Sequence, residues 1–427
     1  MANRRNFLEA VLAAGLIAQA PGSAQAAADP GCRADAPGNR APRILLRSSW
    51  QTVNIGDVAH TPGVLALLEK HLPHAEVQLW PSDVGHGVRQ MLLARFPKLK
   101  VINQSSETEV RQALAYNDFL LHGSGPMLLG AREVARWRTE TGKPYGVLGI
   151  TYGGPDELDL LNAARFAYFR DYPSLQRAQA DGLKTPVTGF GPDGAFATDL
   201  RDDVAASAFC DGAGLRTGQF LCVIPRYRTT PYWEIYNRPM TDADRRNDAL
   251  NQSMKEHDHA PLRAAMIQVV RQTSLRVLVC PEDASQVRLG KEVLVDPLPA
   301  DVRARVVWRD SFWTSLAEAV GVYARSAGML SNEQHSPILS IGHGVPALLC
   351  RWKQQTSKGF MWRSIGLADW LFDMDDEASI GRIVPAVLAV TKDLAAAQAR
   401  ARAARALVRE RHAEEMAVLG TRLRATG

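Results

Sequence analysis

From Arg43 onward, apolar strand-like segments alternate with stretches whose apolar residues recur at helical spacing, and this alternation constrains the fold more than any other feature. Strands are expected at 43–47, 75–80, 100–102, 118–122 and 145–150. Helices are expected between and after them at 62–71, 88–96, 108–115, 128–139 and 158–165. A strand returning to a parallel neighbour needs a crossover helix, so the alternation implies parallel sheets covered on both faces. After the polar stretch 199–216 the pattern restarts, with strands at 219–225 and 275–280 and helices at 259–272 and 311–325.

A chain of 427 residues is long enough for two such domains, each with its own core. The fold expected is therefore α/β, with two Rossmann-like βα domains, 43–212 and 213–385, in a glycosyltransferase-B-like arrangement around an interdomain cleft. One large doubly wound domain is the alternative. Residues 386–427 read as a single long C-terminal helix, because Leu388, Leu394, Ala401, Val408 and Met416 recur at near-helical spacing while arginines fill the remaining positions.

The N-terminus carries a different message. Asn3-Arg4-Arg5-Asn6-Phe7-Leu8, an apolar run 10–18 and Ala24-Gln25-Ala26 occur in the order of a twin-arginine export signal, with cleavage after Ala26. The expected location is the periplasm or cell envelope. The apolar run is too short for a permanent anchor, and no other segment has the length and composition of a membrane span. Residues 27–42, rich in Ala, Pro, Gly and Asp, read as a linker. With 50 basic against 45 acidic residues, the net charge of +5 gives no indication of nucleic-acid binding. The five cysteines are far apart without CxxC spacing, and Cys222, Cys280 and Cys350 fall in expected buried strands. No HExxH or cysteine cluster suggests a metal, and no cofactor motif is present.

The stretch 331–359 combines a histidine near a helix start with lysines after the next strand. Ser331 or Asn332 is expected as N-cap, which places His335 in the first turns, where free N–H groups and the helix dipole favour an anion. The following strand, 347–352, would deliver Arg351, Lys353 and Lys358 to the same carboxyl edge, where ligands of parallel sheets bind. Arg226 and Arg228 follow another strand directly, and arginine grips carboxylate or phosphate as a planar fork.

In this stretch the chain resembles the polysaccharide pyruvyl transferases. Asn54-Ile55-Gly56-Asp57, the segment 118–125 with its glycine pair, Arg170-Asp171 with Ser174, and Pro192-Asp193 are similar to further motifs of that family, in the same order over residues 43–376. Glu333 stands where the family pattern has arginine. The resemblance implies transfer of a pyruvyl unit from phosphoenolpyruvate to two hydroxyls of a cell-envelope glycan as a cyclic ketal. His335 would then be the acid or base, with Arg226, Arg228, Arg351, Lys353 and Lys358 holding the donor's charges. Asn54, Gly56, Asp57 and Glu333 would line the acceptor side. Two other functions fit the same residues: an exported carbohydrate-binding protein, and another glycan-modifying enzyme with Glu333 and His335 as acid/base pair.

Overall fold

The computed structural model describes residues 40–424, so the expected export signal, most of the expected linker and Cys32 lie outside the described residues. Among the described residues thirteen strands form two sheets. The first contains β1 (Arg43–Ser48), β2 (Glu76–Pro81), β3 (Lys100–Val101), β4 (Phe119–His122), β5 (Tyr145–Ile150), β6 (Ala167–Phe169) and β7 (Thr188–Phe190). Their order is β3-β2-β1-β4-β5-β6-β7, and every pairing is parallel. The second contains β8 (Phe220–Ile224), β9 (Arg276–Val279), β10 (Val306–Trp308), β11 (Gly328–Ser331), β12 (Ala347–Arg351) and β13 (Leu371–Asp373). Its order, β10-β9-β8-β11-β12-β13, is parallel throughout.

The central strands are apolar runs because helices cover both their faces. Every residue of β4, β8, β11 and β12 is buried. Ile44, Leu45 and Leu46 of β1 are fully enclosed, each contributing about 1.5–3 kcal/mol. The four described cysteines are free and buried, with Cys222 and Cys350 inside central strands and Cys280 one residue past β9.

Both sheets reverse their winding at an equivalent place. In the first, the chain moves outward from β1 in one direction through β2 and β3, then returns to add β4 on the other side. In the second, β8 and β11 play those parts. Loops leaving the carboxyl ends of two such strands splay apart and leave a crevice. Those four loops carry Asn54–Asp57, His122–Gly125, Arg226 and Glu333–His335.

Two expectations need correction. The C-terminal segment is two helices, Ile383–Lys392 and Leu394–Arg424. Asp393 separates them, its side chain accepting a bond from the Ala396 N–H at 3.0 Å and so capping the second helix. That second helix returns to the first half of the chain: His412 Nε2 lies 3.2 Å from the Pro192 carbonyl oxygen. The helix at His335 starts without the expected cap. Ser331 is the last residue of β11, and Gln334 holds the N-cap position of helix His335–Gly342 with no side-chain cap bond. Among the described residues no helix is long and apolar enough to cross a membrane.

Candidate functional site

Asn54 caps the buried helix Ile55–His71, its side-chain oxygen accepting bonds from the N–H groups of Gly56 and Asp57. The same turn docks on the second half of the chain. Ile55 N–H donates to the Glu282 carbonyl at 3.1 Å, and Asn54 forms an isolated antiparallel bridge with Asp283. Gly56 faces His335 so closely that a β-carbon on it would lie 2.3 Å from the His335 Cβ. Only glycine permits that approach.

His335 is buried, 6 % exposed, between two carboxylate-supported groups. On one side its Nδ1 lies 3.6 Å from Glu282 Oε1, an ion-pair contact longer than a hydrogen bond. Glu282 Oε2 accepts from the Ser336 N–H and hydroxyl at 2.7 and 2.6 Å. Burial pushes the Glu282 carboxyl up, but His335 and Ser336 outweigh it, so the group stays below its ordinary pKa and carries charge. On the other side the ring of His60 meets His335 edge-on, with centroids 5.0 Å apart.

His60 is itself held rigidly. Its Nδ1 sits 2.8 Å from both Asp193 Oδ1 and Ser124 Oγ, and Asp193 Oδ2 accepts from Arg170 at 2.9 Å. Burial pushes the Asp193 carboxyl up, yet His60, Arg170 and His335 together hold it well below the carboxylate range. Thr151 fixes Arg170 through a 2.7 Å bond. Thus the carboxyl ends of β4, β5, β6 and β7 all feed one buried network that ends at His335.

Two cations face the same place. Arg226 Nε lies 2.9 Å from Glu333 Oε1, which also accepts from Gln286 at 2.7 Å. Burial pushes the Glu333 carboxyl up; Arg226 pulls it down, but the neighbouring Glu282 and Asp283 carboxyls raise it again and leave it well above its usual value. Asp283 is pushed up to about 6, mainly by burial. Lys358 is lowered to about 8 by burial and by the guanidinium groups of Arg170 and Arg226, against the opposing pull of Asp57 and Glu333. Those perturbing groups locate the ammonium: although the side chain is partly exposed along its length, its charged end is among the cleft residues of both sheets. The Ser357 hydroxyl beside it bonds Asp171 at 3.0 Å, tying the lysine loop to the first half. At the other rim, Gln51 donates to the Asp57 carboxylate and, at 3.3 Å, to the hydroxyl of Tyr232.

Three expected anion ligands are turned elsewhere. Arg228 spends its guanidinium on Asp258, by two bonds of 2.8 and 2.9 Å, and on Asp375 at 2.7 Å. Lys353 is exposed on a short 3₁₀ turn whose backbone binds Asp375. Arg351 bonds Asp373 at 2.8 Å and the Thr356 carbonyl at 2.7 Å. Thr356 has φ 57°, a conformation that non-glycine residues rarely adopt, so Arg351 braces the strained turn that presents Lys358. His122 accepts a bond from the Gly130 N–H at 3.1 Å and is lowered to about 3 by burial and Arg47, which makes it a neutral core residue.

No family model matches the sequence, and no curated protein matches it. Solved structures do match. MnaA of S. aureus, solved with UDP, has 13 % identity and a TM-score of 0.54 over 85 % of this chain and 91 % of that one. The fold is that of the glycosyltransferase-B class. The Medicago truncatula UGT71G1 complexed with UDP-glucose (10 % identity, TM-score 0.54) aligns over 91 % of this chain and 99 % of its own. A putative UDP-N-acetylglucosamine 2-epimerase from Listeria monocytogenes (11 %, 0.54) aligns over 85 % and 91 %. The glycosyltransferase-B-like frame explains why His335, Arg226 and the Asn54–Asp57 turn, distant in sequence, share a crevice.

Sequence reasoning missed His60 and Glu282. His60 follows Asp57 by three positions, one helical turn, which was a readable signal. Glu282 had none, because its partner His335 lies 53 residues away on a different strand's loop.

Proposed function

We propose that this protein is an exported transferase that moves the pyruvyl unit of phosphoenolpyruvate onto two hydroxyls of an envelope-glycan sugar. The observation that carries it is convergence. The segments that resemble pyruvyl-transferase motifs, spread from Asn54 to Lys358, meet at one crevice where a buried histidine stands among an arginine and a desolvated lysine. A small trianion with a carboxylate and a phosphate needs such a site.

In this reaction the C3 methylene of the donor gains a proton and C2 forms two bonds to sugar oxygens, while the C2–O bond to phosphate breaks. Of the two hydroxyl protons, one balances the proton taken up at C3 and the other leaves with phosphate. His335, backed by the Glu282 carboxylate, suits the proton delivery to C3. Lys358 and Arg226 offer charge to the phosphate and carboxylate, with Glu333 setting how much of Arg226 is free. Asp57, on the opposite sheet's turn, suits the acceptance of a sugar hydroxyl proton. Calorimetric titration of the mature protein with phosphoenolpyruvate tests the donor: micromolar to millimolar binding supports the proposal, and no binding removes it.

A second function, chemistry on a sugar nucleotide, draws support from the likeness to proteins solved with UDP and UDP-glucose. The same titration with UDP and UDP-glucose distinguishes it. The enclosed charged network around His335 goes beyond what a carbohydrate-binding module requires, because buried charges cost stability unless they are paired.

A further inference from the structure

Asp57, His60 and His335 come from two sheets, yet each offers a ligand atom within 4.8 Å of the other two. The two histidines share a second property. His60 Nδ1 is held at 2.8 Å by the Asp193 carboxylate, and His335 Nδ1 faces the Glu282 carboxylate at 3.6 Å. In both rings Nε2 is buried and without a protein partner. Leaving such a nitrogen unsatisfied is unfavourable, and two of them beside a carboxylate call for a shared ligand.

We propose that Asp57, His60 and His335 form a binding site for one divalent first-row transition ion of the zinc class. Metal-binding histidines characteristically direct the other ring nitrogen to a carboxylate, which fixes the tautomer and aims the free lone pair. Asp193 and Glu282 occupy those positions here. Two imidazoles and one carboxylate suit a tetrahedral ion with a fourth position open. Bonds of about 2 Å would hold the ligand atoms about 3.3 Å apart, so closure from 4.8 Å asks for side-chain movements of about an ångström. Arg170, Arg226 and Lys358 oppose a dication electrostatically, while the Asp193 and Glu282 carboxylates, both held below their ordinary pKa, offset them. Sequence spacing hides the site, since His335 lies far along the chain from the Asp57 and His60 pair.

The site does not depend on which donor the enzyme uses. An ion there occupies the lone pair through which His335 would transfer a proton, so occupancy and transfer exclude one another.

The test uses untagged mature protein, freed of metal by chelator and dialysed against Zn²⁺ alone, with bound metal measured by mass spectrometry. One ion per chain is expected in the parent. Asp57→Asn and His60→Ala should each weaken binding at least tenfold, and Co²⁺ in the parent should give the visible bands of a four- or five-coordinate nitrogen–oxygen site. Asp57 is only partly buried, so Asp57→Asn retains the fold even if His60→Ala does not, and circular dichroism checks this. A parent that binds no ion, or an Asp57→Asn variant with undiminished affinity, overturns the proposal.

Discussion

Gly56 and His335 sit in van der Waals contact across the crevice between the two sheets, with no room for a methyl group between them. A β-carbon at position 56 would meet the Cβ, Cγ and Nδ1 of His335 at 2.3–2.6 Å. Gly56→Ala should therefore displace the imidazole or pry apart the Ile55–Glu282 docking. We expect turnover to fall at least tenfold, with a loss of about 1–3 kcal/mol in stability. Steady-state kinetics and urea unfolding check both.

Lys358 and Arg226 both face the crevice, and charge-assisted bonds to an anion contribute about 1.5–3 kcal/mol each. Lys358→Ala or Arg226→Ala should weaken phosphoenolpyruvate binding about tenfold or more. His335→Gln should retain binding and suppress turnover, because glutamine keeps a polar contact and loses the transferable proton. Calorimetry alongside a turnover assay separates the two effects.

The depressed Lys358 pKa gives a pH signature. Its ammonium is charged below about 8 and neutral above, so anion affinity should hold at pH 7 and fall by up to tenfold per pH unit beyond 8. Lys358→Arg should flatten that profile, as arginine stays protonated. Folding moves in the other direction: the unfolded chain keeps the proton up to about 10.5, so this group's contribution to stability rises with pH between 8 and 10.5. Titrations at pH 7, 8, 9 and 10 measure the first trend.

Asp193 and Arg170 are both fully enclosed, and Asp193 also anchors His60. Asp193→Ala leaves the guanidinium buried and unpaired, which should cost about 3–5 kcal/mol in denaturant unfolding. A loss below about 1 kcal/mol would contradict this account of the network.

Much of this was legible from the residues. The strand-helix alternation revealed parallel sheets because long apolar strands such as β5 and β8 have only one way to hide both faces. The three-residue strands β6, β7, β10 and β13 and the four-residue β11 escaped, since so few residues carry little periodicity. Asn54–Asp57 carries its cap and turn chemistry in the sequence and His335 its place near a helix start, although the Ser331 or Asn332 cap expected there is not made, while Arg228 and Arg351 bond aspartates instead of facing the crevice. Whether an arginine after a strand meets a ligand or an aspartate depends on partners such as Asp258 and Asp375, 30 and 147 residues away. Local pattern does not report such pairs. The break at Asp393 was missed because helical apolar spacing continues on both sides of it.

The proposal of export rests on the N-terminal residues alone. Replacing Arg4 and Arg5 with lysine should leave an uncleaved precursor in the cytoplasm, while the unaltered protein is recovered outside it beginning near Ala27. Cell fractionation with N-terminal sequencing decides.

The most direct test of the central claim is acceptor-dependent phosphate release. Mature, metal-free protein is incubated with phosphoenolpyruvate, with and without envelope glycans, and phosphate and the glycan's ketal methyl signal are followed together by NMR. The account predicts phosphate only when glycan is present, one ketal per phosphate, and neither with His335→Gln. Ketal formation that survives in His335→Gln, or turnover of UDP-sugars with none of phosphoenolpyruvate, would contradict it.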